Sequence, residues 1–175
     1  MRRLALVGFT LMAASVSVSA AKGELSPRPL EQTKGIHVCY FPEFVVGIHV
    51  QDNVFYCSDK LQIVHPAEDV IDGDDEPPTA CTYPDENGKP VTLHCCPPGM
   101  AVRGVHVGKN LLVCSKYDQQ AAEQTAGKRG LVIQIDHRTQ RYYDGIGLHA
   151  CPDGFPMLGF HEGRNLLLCL TLGPE

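Results

Sequence analysis

Six of the eight histidines in this 175-residue chain recur at two fixed places in a pattern that is written three times. Each copy begins with His-x-Cys, continues through Gly-x-His and Asn, and ends in Cys, with identical spacing. The first histidines are His37, His94 and His149, and the second are His49, His106 and His161. Spacing that is kept without insertions predicts that one structural unit is repeated three times.

The repeated histidines predict a transition-metal site, because neutral imidazole is a good ligand for zinc, copper and nickel. Neither a β-hairpin nor a disulfide requires an imidazole, so histidine is the residue type of the pattern that points to a ligand. A set formed by His49, His106 and His161 would have the ligand count of an open zinc site. All six repeat histidines are therefore candidate metal ligands, with zinc or copper as the expected ion.

Three other hypotheses account for the same residues. Non-covalent haem between two histidines needs only imidazoles at the right distance, whereas covalent haem lacks its Cys-x-x-Cys-His motif here. A closed zinc site in each copy would use two imidazoles and two thiolates, although an oxidising compartment favours disulfides over thiolates. In the third hypothesis the histidines are structural, and each packs against its neighbouring disulfide and hydrogen-bonds a backbone carbonyl.

The cysteines predict an exported protein with four disulfides. Residues 1–20 resemble a secretory signal, with two arginines, an apolar run and a small-residue cleavage site. Eight cysteines in the oxidising compartment that export implies are expected to pair. If each copy is closed on itself, the pairs are Cys39 with Cys57, Cys96 with Cys114, Cys151 with Cys169, and, from the two cysteines left over, Cys81 with Cys95. Each repeat disulfide closes a loop of about 19 residues and stabilises the fold by about 3 kcal/mol.

Each copy is typical of a β-hairpin, because apolar and β-branched residues flank a short turn that ends in asparagine. The turns are Gln51–Asn53, Gly108–Asn110 and Gly163–Asn165. The glycine two residues before the second histidine predicts a bulge or a close backbone approach. We therefore predict a mainly β fold of three disulfide-stapled hairpins, with a period of about 55 residues, approximate threefold pseudo-symmetry and few short helices.

The predicted organisation is a signal peptide (1–20), an N-terminal arm (21–36) and one compact domain (37–175). The repeats occupy 37–57, 94–114 and 149–169. An acidic link, 58–93, joins the first two and includes a candidate strand at 61–64. The second link, 115–148, has a predicted short helix around 118–126 and a hairpin that turns at 137–140.

Charge and composition exclude several partners. The chain carries a formal charge of −5, and without the two signal arginines it has 13 basic and 20 acidic residues, a charge of −7. That balance argues against a nucleic-acid partner, which requires a basic face. No other apolar run approaches the roughly 18 residues of a membrane helix. The expected partners are a protein or glycan at a surface, and a homo-oligomer is compatible with the sequence.

No catalytic motif is present. The chain lacks a Gly-x-Ser-x-Gly elbow, a His-Glu-x-x-His pair and a phosphate-binding glycine loop. We therefore expect a non-enzymatic secreted or periplasmic protein. Its histidines either bind a transition metal or haem, or are structural parts of a recognition module in an extracellular assembly.

Overall fold

A computed structural model describes residues 31–33, 36–49, 54–61, 70–72, 79–106, 111–136, 140–143 and 146–174. The predicted signal peptide, residues 62–64 of the candidate strand at 61–64, the first two predicted hairpin turns and residues 137–139 of the predicted turn at 137–140 lie outside these residues. In the described part, the prediction of a mainly β fold with four disulfides and few short helices is confirmed.

The described residues form fourteen strands and one α-helix. The strands are β1 (Glu31–Thr33), β2 (Ile36–Val38), β3 (Phe44–His49), β4 (Val54–Ser58), β5 (Val70–Asp72), β6 (Ala80–Pro84), β7 (Pro90–Cys95), β8 (Met100–His106), β9 (Leu111–Lys116), β10 (Leu131–Asp136), β11 (Gln140–Tyr143), β12 (Ile146–Ala150), β13 (Met157–His161) and β14 (Leu166–Leu172). The helix α1 covers Gln119–Ala126, and 3₁₀ turns occupy Gly127–Arg129, Pro152–Gly154 and Glu162–Arg164.

The strands are arranged in three antiparallel sheets. Their orders are β1-β2-β8-β9-β5, β10-β14-β13-β7-β6 and β11-β12-β3-β4. We call β2-β3-β4 the first unit, β7-β8-β9 the second and β12-β13-β14 the third, since each contains one copy of the sequence pattern. Every sheet combines the leading strand of one unit with the hairpin of another: β2 pairs with β8, β7 with β13, and β12 with β3.

Each unit contains the predicted hairpin, and each hairpin has a register shift at the same place. The shifts fall between Val45 and Gly47, between Val102 and Gly104, and between Met157 and Gly159. The glycine of the pattern therefore follows a bulged residue in all three copies, as the sequence predicted. In the third hairpin, Asn165 has a left-handed φ of 51°, which asparagine tolerates better than most residues.

The bulged residue bonds to the neighbouring unit through its carbonyl oxygen. The backbone N–H of Cys39 donates to the Arg103 oxygen at 2.8 Å. The equivalent bonds run from Cys96 to Leu158, at 2.8 Å, and from Cys151 to Val46, at 2.7 Å. A bulge leaves one residue outside the ladder of its own hairpin, and here that residue's carbonyl is satisfied by the cysteine of the next unit.

The central core is built from the same five positions of each unit. Its residues are Cys39, Val45, Ile48, Phe55 and Cys57 from the first unit, Cys96, Val102, Val105, Leu112 and Cys114 from the second, and Cys151, Met157, Phe160, Leu167 and Cys169 from the third. All are buried, and three of the four disulfides lie among them. The side-chain alternation of each strand thus places one face of every hairpin in a shared interior.

The second link contains the predicted helix but not the predicted hairpin. Helix α1 begins after Asp118, whose carboxylate accepts a hydrogen bond from the Ala121 N–H at 2.9 Å. Strands β10 and β11 do not pair with each other: β10 pairs with β14 and β11 with β12. The prediction of a hairpin over 131–143 was wrong because each strand pairs with the edge of the third unit, and proximity in the chain did not decide its partner.

Candidate functional site

The first histidines of the three units occupy equivalent places on the leading strands. His37 pairs with Val105, His94 with Phe160 and His149 with Ile48. Residues directly opposite in an antiparallel pair project from the same face of the sheet. Because all three partners belong to the central core, the first histidines lie on the core-facing side of their strands.

Their rings pack on apolar neighbours in two units and beside a carboxylate in the third. The His37 ring stacks on Phe55, with centroids 5.5 Å apart and planes 18° from parallel. The His94 ring lies 6.2 Å from that of Phe160, tilted by 40°. His149 is only 5% exposed, and its Nε2 lies 3.6 Å from Oδ1 of Asp136. That distance is too long for a direct hydrogen bond. Neither ring nitrogen of His149 has a hydrogen-bond partner in the described part of the chain.

Two of the second histidines, His106 and His161, lie on the other side of their strands. His106 ends β8 and His161 ends β13, and both are half-buried. Each directly follows a core residue, Val105 or Phe160, so its side chain points away from the core. His49 ends β3, and its side chain lies outside the described part of the structure. The side chains of His106 and His161 therefore lie on the opposite side of their sheets from the first histidines.

The described residues contain no group of three or more histidine, cysteine, aspartate or glutamate side chains that could hold a metal ion. The predicted metal set consequently gains no support from the described part of the fold. Because the side chain of His49 is not among the described atoms, the set of His49, His106 and His161 stays a prediction.

The hypothesis of a zinc site with two thiolates in each copy was wrong. All eight cysteines lie in disulfides and none is free. The pairs are Cys39–Cys57, Cys81–Cys95, Cys96–Cys114 and Cys151–Cys169, which are the pairs that the repeat spacing predicts. The three repeat disulfides have nearly the same geometry, with Cα–Cα distances of 5.8, 5.6 and 5.5 Å. Thiolate ligands and a thiol nucleophile are therefore both absent.

Sequence reasoning did not find Asp136 as the neighbour of His149. The sequence does contain a weak signal. Strand β5, which pairs with the second hairpin, and strand β10, which pairs with the third, both end in Ile-Asp. Asp72 pairs with Leu112, and Asp136 pairs with Leu167 in the equivalent register. The two links otherwise differ in sequence, so this shared dipeptide does not stand out until the strands are aligned by their partners.

The turn after the first repeat cysteine exposes two aromatic side chains. Tyr40 is 41% exposed and Phe41 is 55% exposed, and they directly follow the buried Cys39. The equivalent turns of the other units begin with proline at Pro97 and Pro152. An exposed aromatic pair of this kind is suited to contact with another molecule.

Among the described residues, no helix is both long and apolar enough to cross a membrane. In comparisons with known proteins, no protein-family model, no curated protein and no solved structure matches the chain.

Proposed function

We propose that this chain is a non-enzymatic structural or recognition module of an extracellular or surface assembly, and that its first repeat histidines stabilise the fold. The observation that carries this proposal is the packing of those histidines. His37 stacks on Phe55, and His94 lies against Phe160. A flat ring with an apolar face and a polar edge suits the margin of a core, and contacts of this kind contribute about 0.5–1.5 kcal/mol each.

We also propose that the three units form a closed ring with approximate threefold pseudo-symmetry. The leading strand of the first unit pairs with the second hairpin, that of the second with the third, and that of the third with the first. The hydrogen bonds from Cys39, Cys96 and Cys151 to bulged residues follow the same order. Five equivalent core positions from each unit agree with this arrangement.

Such a ring would make a rigid scaffold. Each repeat disulfide joins the leading turn of a unit to the end of its own hairpin, while the strand pairing joins that unit to the next. The disulfide within a unit and the strand pairing between units therefore hold the same strands in place. Rigid frameworks of this kind hold surface turns in fixed positions for recognition.

The recognition surface that we favour is the turn at Tyr40 and Phe41. Aromatic side chains are suited to stacking on a sugar ring or to packing in the centre of a protein interface. Four disulfides fit an extracellular location, where such partners are found. The predicted signal peptide and the predicted cleavage near Ala21 lie outside the described residues and remain part of the proposal.

The experiment that tests the structural role compares two double variants. His37→Gln with His94→Gln removes two inward rings, and His106→Gln with His161→Gln removes two outward ones. We expect the inward pair to lower the free energy of unfolding by about 1–3 kcal/mol in total. The outward pair should cost less, because each of those residues directly follows a core residue and its side chain points away from the core.

The same variants separate the metal hypothesis from the structural one. Unfolding is measured by circular dichroism in EDTA and again in excess Zn²⁺ or Cu²⁺. If the structural proposal is right, the unfolding midpoint of the wild-type protein is the same in EDTA, in Zn²⁺ and in Cu²⁺. A midpoint that rises with metal and loses that rise in the outward variant would overturn the proposal in favour of a metal-binding protein.

A further inference from the structure

A small cavity opens between the second unit and the sheet of the third. Its volume is about 250 Å³. Its main walls are the Cys81–Cys95 disulfide, Tyr83, Met100, Tyr117 and Ile133, and we call it the Met100 pocket. It is formed entirely by residues that the structure describes. The repeat pattern does not account for it, because Cys81 and Tyr83 lie on β6, which precedes the second copy.

The chemistry of the walls is apolar and uncharged. No residue that lines the Met100 pocket carries a charge, and its polar side chains are the hydroxyls of Thr79, Tyr83 and Tyr117. A charged ligand would lose its hydration in this pocket without gaining a partner of opposite sign. The walls therefore favour a neutral ligand with little polar surface.

Several wall groups are suited to an aromatic ring in particular. Tyrosine rings make offset or edge contacts with other rings, and the thioether sulfur of methionine packs favourably against ring edges. Met100 is unbranched and adjusts to irregular shapes. An apolar cavity of about 150 Å³ is enough for benzene, so the Met100 pocket is large enough for one or two rings.

The third unit shows which group the fold places at the position of Met100. The turns Cys-Pro-Pro-Gly and Cys-Pro-Asp-Gly are followed by Met100 in the second unit and by Phe155 in the third. The Phe155 ring is fully buried, and the Lys60 ammonium lies 4.2 Å from its centroid. At the position where the third unit has the buried ring of Phe155, the second unit therefore has the flexible side chain of Met100 beside a cavity.

The wall formed by β6 and β7 is held together by a disulfide as well as by strand pairing. Cys81 and Cys95 lie on β6 and β7, which are already hydrogen-bonded neighbours, with Cys81 opposite Leu93. The disulfide between them fixes two walls of the cavity relative to each other. Ile133, another wall residue, is 42% exposed, so this side of the pocket is accessible from solvent. A preformed apolar cavity loses less entropy on binding than one that must be assembled.

We propose that the Met100 pocket binds a small neutral aromatic molecule of one or two rings. This inference does not depend on the proposed structural function, because none of the repeat histidines lines the pocket.

The test uses the methionine methyl groups of the chain. Of its four methionines, Met1 and Met12 fall in the predicted signal peptide, which leaves Met100 and Met157. Met157 is fully buried in the central core and serves as an internal control. The protein from residue 21 onward is labelled with ¹³C at the methionine methyls and titrated with 4-methylphenol or indole, and methyl NMR spectra are recorded.

We expect a saturable shift of the Met100 methyl signal and no shift at Met157. Ile133→Asp should weaken binding roughly tenfold or more, since it places a charge in the wall. Gln134→Asp is the matched control: Gln134 is exposed on the same strand and pairs with Cys169, whereas Ile133 pairs with Leu170, so the two point to opposite faces. That control should bind as the unvaried protein does.

Two competitors define the ligand class. The anion 4-methylbenzoate and the non-aromatic ring cyclohexanol should each fail to displace 4-methylphenol. The proposal is overturned if the Met100 signal does not saturate, if both aspartate variants weaken binding equally, or if cyclohexanol binds as tightly as the aromatic probe.

Discussion

Gly104 lies against His37 so closely that a β-carbon on the glycine would be 2.6 Å from the His37 carbonyl oxygen. Real β-carbons essentially never approach another heavy atom so closely. The leading strand of the first unit can therefore reach the second hairpin only because position 104 has no side chain. Gly159 is in the same situation against His94 and Cys95. In these two units the glycine of the repeated pattern is thus a contact point with the leading strand of the neighbouring unit.

Gly104→Ala should lower the free energy of unfolding by about 1–3 kcal/mol, because the added methyl group forces the backbone of β2 away from β8. Gly163→Ala is the matched control, since a β-carbon there would be 3.6 Å from the nearest atom of the His161 ring, an ordinary contact distance. Chemical denaturation of both variants checks this. Equal stability of the two variants would mean that the close approach at Gly104 is not needed for pairing between units.

The repeat disulfides should be more important for stability than the Cys81–Cys95 disulfide. Cys96→Ala with Cys114→Ala opens a loop of sequence separation 18 and also removes two buried sulfur atoms from the core. We expect a loss of about 3 kcal/mol from the loop, with a further cavity cost. Cys81→Ala with Cys95→Ala opens a loop of separation 14 between strands that stay paired. Thermal unfolding ranks the two, and a larger loss from the second variant would contradict this account.

Tyr117 should make the fold less stable at alkaline pH. Burial, and after it the negative charge of Glu123, raise the pKa of Tyr117 above its usual value. In the unfolded chain the pKa of a tyrosine is about 10. As the pH rises through and above that value, the unfolded chain releases a proton that the folded chain still holds, so the free energy of unfolding falls.

Between neutral and strongly alkaline pH, the free energy of unfolding should therefore fall less in Tyr117→Phe than in the wild-type protein. Glu123→Gln, which removes only the smaller of the two causes, should give an intermediate decline. Denaturant titrations at several pH values measure these slopes. Parallel slopes for the unvaried protein and Tyr117→Phe would show that ionisation of this tyrosine is not linked to unfolding.

Lys60 joins the end of the first unit to the turn of the third. Its ammonium donates a hydrogen bond of 2.6 Å to the Asp153 carbonyl oxygen and lies over the Phe155 ring. Lys60→Met keeps the apolar stem and removes both contacts, so we expect a loss of about 1 kcal/mol. Lys128→Met, at an exposed position, should be neutral within experimental error. If the two substitutions have the same effect, neither the hydrogen bond to Asp153 nor the contact with Phe155 adds to stability.

The local features of each unit could be predicted from the sequence because they depend on short spacings. The separation of 18 residues between Cys39 and Cys57 fits a hairpin closed on itself, and glycine before the second histidine predicts the bulge. Asn165 adopts the left-handed conformation that ends the predicted turn. Each of these features is decided within about twenty residues.

The relationships between units could not be predicted in the same way. Nothing near His37 in the chain indicates that its strand pairs with β8, because that choice depends on the apolar edge that a distant hairpin presents. The same reason explains the wrong prediction for β10, which pairs with β14 and not with β11. The pattern showed that histidine recurs, but the difference between a metal ligand and a ring packed on Phe55 lies in three-dimensional contacts.

Native mass spectrometry of the exported protein, purified without chelator, tests the central claim most directly. We predict the mass of a chain with four disulfides and no stoichiometric metal or haem, and no change in that mass after dialysis against EDTA. A bound metal ion that EDTA removes, and that is also lost in a variant with His49, His106 and His161 replaced by glutamine, would contradict the claim that the chain is a structural module without metal and would assign metal binding to the second repeat histidines.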